Sequence, residues 1–264
     1  MSSWGRARLL RRGLFISVVV LACVAVAVPA FAYVSRGTHT TVIRASGTTP
    51  EFGSSTAKCP SGQHVLFGGF SNGVAGMRRT ASNQLTVDGY NLGGQPLWLT
   101  SFAYCGRGPI PTAATGSVSI SSAGTATATC PAGKVLVAGG FKASPHTVLA
   151  VTRLERTAAN RLRVSAYLRY GLTKHTVLTA IAYCGPGPAP KLVSHTEKLP
   201  KTGGNSEASC PTGTKLAFGG VVASGAGYHP LVFAMAAVDQ DTWRVRDSTD
   251  KHAASTLTSL AYCR

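Results

Sequence analysis

The chain reads as all-β: three tandem small antiparallel β modules of sandwich-like build, each closed by one disulfide, behind an N-terminal apolar segment. Three observations predict this. One stretch occurs three times, opening with Cys59-Pro60-Ser61-Gly62, reaching Gly68-Gly69 and closing on Leu99-Thr100-Ser101-Phe102-Ala103-Tyr104-Cys105. It returns as Cys130-Pro131-Ala132-Gly133, Gly139-Gly140 and Leu178 to Cys184, then as Cys210-Pro211-Thr212-Gly213, Gly219-Gly220 and Leu257 to Cys263. The first glycine of each pair stands nine residues after the opening cysteine, so an internal repeat is read before anything else. The second observation is composition: 13% charged residues, 30 Gly and abundant Ala, Ser and Thr suit turns and strands better than helices. The third is period-two alternation, plainest where Leu162, Val164, Ala166 and Leu168 share one face and Arg161, Arg163, Ser165, Tyr167 and Arg169 share the other.

Residues 1–32 have the form of a targeting segment. Arg6, Arg8, Arg11 and Arg12 precede an uncharged apolar run, residues 14–28, and Ala30-Phe31-Ala32 fits the small-x-small pattern for a cut before Tyr33. The run from 14 to 32 is also just long enough to cross a bilayer. The expectation is therefore an extracytoplasmic protein, either secreted after cleavage near Ala32 or anchored to the cytoplasmic membrane by residues 14–32. Arg11-Arg12 lacks the rest of a twin-arginine signal, and Cys23 sits inside the apolar run, where it makes a poor lipobox.

After this segment the modules span 36–108, 111–187 and 189–264, separated by Gly106-Arg107-Gly108-Pro109 and Gly185-Pro186-Gly187-Pro188, which stop strands and make linkers. Each module is expected to hold about five strands. A lead-in strand comes first, at 39–44, 116–121 and 191–198. In the first module a Gly/Ser/Thr loop joins it to the cysteine. The glycine pair comes after a short apolar strand and suggests a bend. A hairpin is next, with its turn at Ser82-Asn83, Ala159-Asn160 and Asp241, because Asn and Asp tolerate positive φ. Arg79-Thr80-Ala81 and Arg156-Thr157-Ala158 match just before it. The closing strand is apolar on both faces, which predicts a central strand covered on both sides.

Six of the seven cysteines, Cys59, Cys105, Cys130, Cys184, Cys210 and Cys263, fall two per repeat. In an exported chain they read as a disulfide framework. Repeat logic favours Cys59–Cys105, Cys130–Cys184 and Cys210–Cys263. The rival joins Cys105–Cys130 and Cys184–Cys210 across the linkers and closes a ring with Cys59–Cys263. A module of roughly 75 residues is small for an independent core, and one bridge over roughly 50 residues contributes about 4 kcal/mol in the chain-entropy model. The cysteines thus have a structural explanation without redox chemistry.

The pattern Cys-Pro-x-Gly, Gly-Gly, a Leu or Trp before x-Val (Leu85, Leu162, Trp243) and Ala-Tyr-Cys resembles repeats in largely uncharacterised secreted proteins of high-GC Gram-positive bacteria. It covers nearly all of residues 36–264. The resemblance implies export and a repeated module, and implies no activity.

Chemistry-bearing motifs are few. Gly69-Phe70-Ser71-Asn72-Gly73 matches the nucleophile elbow, but Val74-Ala75-Gly76-Met77-Arg78-Arg79 is too short and glycine-rich for the helix that motif needs. A secreted serine hydrolase using Ser71 is a remote alternative. Leu199-Pro200-Lys201-Thr202-Gly203 matches a sorting signal but has a whole module after it, so it reads as a loop. No H-E-x-x-H, C-x-x-C or phosphate loop occurs, so no metal site and no cofactor are expected.

Charge is the best functional lead. The net charge is +17; without the four N-terminal arginines, 22 of the 26 basic residues stand against 9 acidic ones, a charge of +13. The second module holds Lys134, Lys142, Arg153, Arg156, Arg161, Arg163, Arg169 and Lys174 against Glu155 alone. Arg161, Arg163 and Arg169 share a strand face with Tyr167, and with Arg153 and Arg156 they form the candidate anion-binding set, since Arg beside an aromatic ring grips sulfate, phosphate or sugar acids. The bland reading of such a run is a solvated outer strand. The functional expectation is a non-catalytic envelope scaffold or binding module whose second repeat contacts an anionic envelope polymer or lipid headgroups; nucleic acid is a less natural partner outside the cell. The alternative is a lectin-like module binding neutral glycans through exposed aromatics such as Trp243, Trp98 and Tyr90.

Overall fold

The computed structural model describes residues 41–49, 52–72, 74–90, 97–145, 149–168, 175–200, 202–225, 232–247 and 255–264. The targeting segment expected at 1–32 lies outside them. All regular structure in the described residues is strand. The first repeat runs β1 (Thr41–Thr49), β2 (Phe52–Lys58), β3 (His64–Ser71), β4 (Val74–Ala81), β5 (Gln84–Tyr90) and β6 (Leu97–Gly106). The second runs β7 (Thr112–Ile120), β8 (Ala123–Thr129), β9 (Val135–Ser144), β10 (Leu149–Ala158), β11 (Arg161–Leu168) and β12 (Thr176–Gly185). The third runs β13 (Lys191–Leu199), β14 (Gly204–Ser209), β15 (Leu216–Gly225), β16 (Val232–Ala237), β17 (Thr242–Asp247) and β18 (Ser255–Cys263).

Each repeat therefore has six strands among the described residues, where the sequence suggests five. The extra one is β2, β8 or β14. Its inward positions carry only Ser or Ala: Ser55 and Ala57, Ala126 and Ala128, Ser206 and Ala208 are all buried. In β2 that low hydrophobicity disguises an alternating strand as a polar loop. The small inward residues let the facing strand approach closely, and Ser55 Oγ lies 3.0 Å from Ser101 Oγ, as Ser206 Oγ does from Ser259 Oγ.

Within a repeat the strands form two layers. In the first, β1-β6-β3 pack face to face on β2-β5-β4. The disulfides Cys59–Cys105, Cys130–Cys184 and Cys210–Cys263 tie the end of one layer to the end of the other in each repeat. The closing strands β6, β12 and β18 are the middle strands of their layers, as the two-sided apolar pattern predicts. The hairpin turns are held from below: the N–H of Cys59, Cys130 and Cys210 donates to the carbonyl of Asn83, Asn160 and Asp241, each at 2.8 Å.

The layers do not stop at the repeat boundary. Three antiparallel six-stranded sheets run β1-β6-β3-β16-β17-β14, β2-β5-β4-β9-β12-β7 and β13-β18-β15-β10-β11-β8. Each takes three strands from one repeat and three from another, so the three repeats close into a ring with three seams: β3 with β16, β9 with β4, and β15 with β10. The glycine-pair strands β3, β9 and β15 also touch one another.

The paired glycines serve these contacts, not a bend. A Cβ on the first of each pair would strike a core side chain of its own repeat: Leu85 at 2.6 Å from Gly68, Leu162 at 2.9 Å from Gly139, and the Trp243 ring at 1.9 Å from Gly219. A Cβ on the second would strike a carbonyl oxygen of the neighbouring repeat: Met235 at 2.4 Å from Gly69, Met77 at 2.6 Å from Gly140, and Leu154 at 2.2 Å from Gly220. Close approach of one backbone to another is a recognised reason for glycine inside a strand. The irregularity that does occur lies earlier, where Leu66, Val137 and Ala217 are the extra residues of three matching bulges.

Candidate functional site

The predicted anion-binding residues separate into two groups. On the pair β10 and β11, Glu155 stands opposite Arg163, and Arg153 opposite Ser165. Leu162, Val164 and Ala166 are buried on the inner face, so Arg161, Arg163, Ser165 and Tyr167 project from the other. Beside β11, strand β8 adds the exposed Thr125, Thr127 and Thr129 opposite Ser165, Arg163 and Arg161. The result is a continuous outer face of arginines, hydroxyls and one tyrosine.

Glu155 is embedded in that face. Arg163 donates to its Oε1 from Nε at 3.0 Å and Nη2 at 2.7 Å, and Arg153 Nη1 donates to the same oxygen at 3.3 Å. Two arginines thus share one carboxylate, and Arg161, exposed at the edge, leaves the face net positive. The ion pairs hold two guanidinium planes in place, which is the preorganisation that oxyanion recognition by Arg exploits. Arg169 lies outside the described residues.

Arg156 belongs elsewhere. It stands opposite Leu162, so its side chain shares the inner face and not the basic one. Its guanidinium lies over the Tyr262 ring of the third repeat, 5.0 Å from the centroid, and its backbone N–H donates to Tyr262 Oη at 2.7 Å. The same pair recurs one seam on: Arg79 lies over Tyr183 at 4.7 Å and its N–H donates to Tyr183 Oη at 2.6 Å. Burial depresses both guanidinium pKa values, with the adjacent phenol opposing the shift. Arg156 is therefore a seam residue, and the matching Arg-Thr-Ala triplets of the sequence mark a contact between repeats.

At the third seam, Ala237 takes the place of the arginine. Its N–H still donates to Tyr104 Oη at 2.6 Å, so the backbone frame is unchanged. Above that frame lies a cleft of about 720 Å³ whose lining includes Tyr104, Phe67, Val42, Val238, Arg44 and Asp239. It is within the size range of ligand pockets. No signal in the sequence of one repeat announces it; it lies at the seam where Ala237 stands in place of an arginine.

The aromatic residues also divide. Trp243 is fully buried, with Nε1 donating to Gly220 O at 3.0 Å, so it cannot serve as an exposed glycan platform. Gly219 gives its ring the space, and that glycine opposite a Trp is the sequence sign of burial. Trp98 is 60% exposed. Ser71 ends β3 and leads into strand β4, without the helix a nucleophile elbow requires. Among the described residues no group of three or more His, Cys, Asp or Glu is placed to hold a metal. Among them, too, no helix is long and apolar enough to cross a membrane.

The chain matches no protein-family model and none of the curated proteins compared with it. Its three intramolecular disulfides fit an oxidising, extracytoplasmic compartment.

Proposed function

We propose that this is a non-catalytic extracytoplasmic binding protein, secreted or held at the membrane by residues 14–32, whose second repeat contacts an anionic envelope polymer. The observation that carries the reading is the outer face of β10, β11 and β8, where Arg153 and Arg163 share one carboxylate, Glu155, and Arg161 and Tyr167 lie on the same face. A rigid sheet presenting fixed guanidinium groups beside rows of threonine hydroxyls suits repeated sulfate, phosphate or carboxylate groups. Lipid headgroups carry the same chemistry and are the second anionic partner this face admits.

The test is titration of the full-length protein with heparin, teichoic acid and anionic vesicles at several salt concentrations. Binding that weakens steeply with salt, and by at least tenfold in Arg161→Ala/Arg163→Ala, supports the reading. Equal, salt-insensitive affinity for wild type and variant removes it. A second reading, a lectin-like module for neutral glycans, rests on the exposed Trp98. Neutral-sugar binding that survives high salt and disappears in Trp98→Ala selects it instead.

A further inference from the structure

The three seams are built alike, yet one lacks a part. At two of them an arginine from the strand before the hairpin turn covers a tyrosine of the next repeat: Arg79 over Tyr183 and Arg156 over Tyr262. One face of Tyr262 is already stacked on Phe218, with centroids 4.1 Å apart, which leaves the other for the guanidinium. Tyr104 has the same stacked partner, Phe67, at 4.2 Å. Its hairpin residue is Ala237, whose side chain ends at Cβ and reaches no ring. A cleft of about 720 Å³ is lined by Ala237, Phe67 and Tyr104, Tyr104 itself being only 2% exposed.

The hairpin beside it has changed in the complementary direction. Thr80-Ala81-Ser82-Asn83 and Thr157-Ala158-Ala159-Asn160 carry no charge, but the corresponding Val238-Asp239-Gln240-Asp241 brings two carboxylates, both lining the cleft. Asp239 Oδ1 is fixed by the N–H groups of Asp241 at 3.1 Å and Thr242 at 2.7 Å. Arg44, the basic residue among the described lining, stays 5.3 Å over the Phe102 ring. Thus the hairpin's own arginine is replaced by Ala237, Arg44 of β1 supplies the positive charge that acts on Tyr104, and two carboxylates line the cleft, while the ring and the backbone beneath are kept.

We propose that this cleft between the first and third repeats receives an arginine side chain from a partner polypeptide, its guanidinium entering beside Ala237 and Val238 and its charge met by Asp239 and Asp241. The protein itself shows which group the frame accepts, since its own arginines occupy the two sister positions. Apolar Val42, Leu216 and Val238 line the remainder and leave room for residues flanking the arginine. The basic face of the second repeat takes no part, so this site stands or falls separately from the polyanion reading.

The experiment is calorimetric titration of the full-length protein with a neutral-backbone tripeptide, acetyl-Gly-Arg-Gly-amide, beside its citrulline counterpart and the free amine agmatine. The expected result is saturable one-to-one binding of the arginine peptide, at least tenfold weaker with citrulline and in Asp239→Asn/Asp241→Asn. In Ala237→Arg, which restores the sister arrangement, binding should vanish while Tm holds or rises. The Asn variant keeps the acceptor oxygens of the turn and decides the matter if Ala237→Arg folds poorly. No saturable binding, binding unchanged in the Asn variant, or binding retained in a folded Ala237→Arg overturns the proposal. Agmatine binding tighter than the peptide overturns its polypeptide part.

Discussion

Tyr183 Oη accepts the backbone N–H of Arg79 at 2.6 Å across 104 residues of chain, joining the second repeat to the first. Tyr262 does the same for Arg156, and Tyr104 for Ala237, so every seam has one tyrosine lock. Each paired strand ladder at a seam is short, with two register pairs apiece, for example Gly76↔Lys142 and Met77↔Phe141. A buried hydroxyl bonded to another repeat's backbone therefore adds to the short ladder and the shared core at every seam.

Tyr183→Phe keeps the ring and removes the acceptor, stranding a backbone N–H where water has little access. The expected loss is about 1–3 kcal/mol, the cost of an unsatisfied buried polar group. Tyr104→Phe and Tyr262→Phe should cost similar amounts. Urea unfolding of the disulfide-intact protein measures this, and a midpoint unchanged in all three variants contradicts the role given to the locks.

Gly220→Ala is expected to be worse than its single methyl suggests. The new Cβ would lie 2.2 Å from the carbonyl oxygen of Leu154, which is backbone and cannot rotate away. Overpacking of a tight site costs about 1–3 kcal/mol or more. Gly47→Ala is the control: its Cβ meets only Ser54 O at 3.8 Å, an ordinary contact, and its stability should move by about 0.5 kcal/mol at most. Equal effects of the two changes would show that the second glycine of the pair does not serve the seam.

The locks also set an alkaline limit. Burial pushes the Tyr262 phenol up to about 12, against the hydrogen bond from Arg156 N–H that favours its anion, and burial raises Tyr104 and Tyr183 in the same direction. An unfolded tyrosine titrates near 10. The folded state thus keeps protons that the unfolded state releases, so this stabilisation is complete below about pH 10 and is lost as pH rises toward 12. Tm should fall steeply in that window, and absorbance at 295 nm should show these phenols ionising only with unfolding. Free titration near pH 10 with the fold intact would refute it.

Much of this fold is legible in the chain because the signals repeat. The cysteine spacing and the apolar closing strand around Ala103-Tyr104-Cys105 each point to one local geometry, and the hairpin turns fall at Asn83, Asn160 and Asp241, although none of these three residues adopts the positive φ that suggested them. The illegible part depends on partners far away in sequence. Three similar repeats can complete their sheets internally or with one another, and nothing local distinguishes β3 pairing with β4 from β3 pairing with β16. Arg156 reads as a member of a basic strand face; only its register opposite Leu162 turns it inward. Trp243 reads as available to a ligand, yet Gly219 makes a pocket for it. The strand of small residues at 52–58 is hidden because Ser55 and Ala57 bury little apolar area each while still alternating. The basic face is visible in outline, but the sharing of Glu155 between Arg153 and Arg163 requires the hairpin register.

Scanning calorimetry of the full-length, disulfide-intact protein tests the closed ring most directly. Since each sheet is shared by two repeats, unfolding should be a single transition with calorimetric and van't Hoff enthalpies equal, and Tyr183→Phe at one seam should lower that transition as a whole. Separate transitions for the three repeats, with Tyr183→Phe shifting only one of them, would contradict the account.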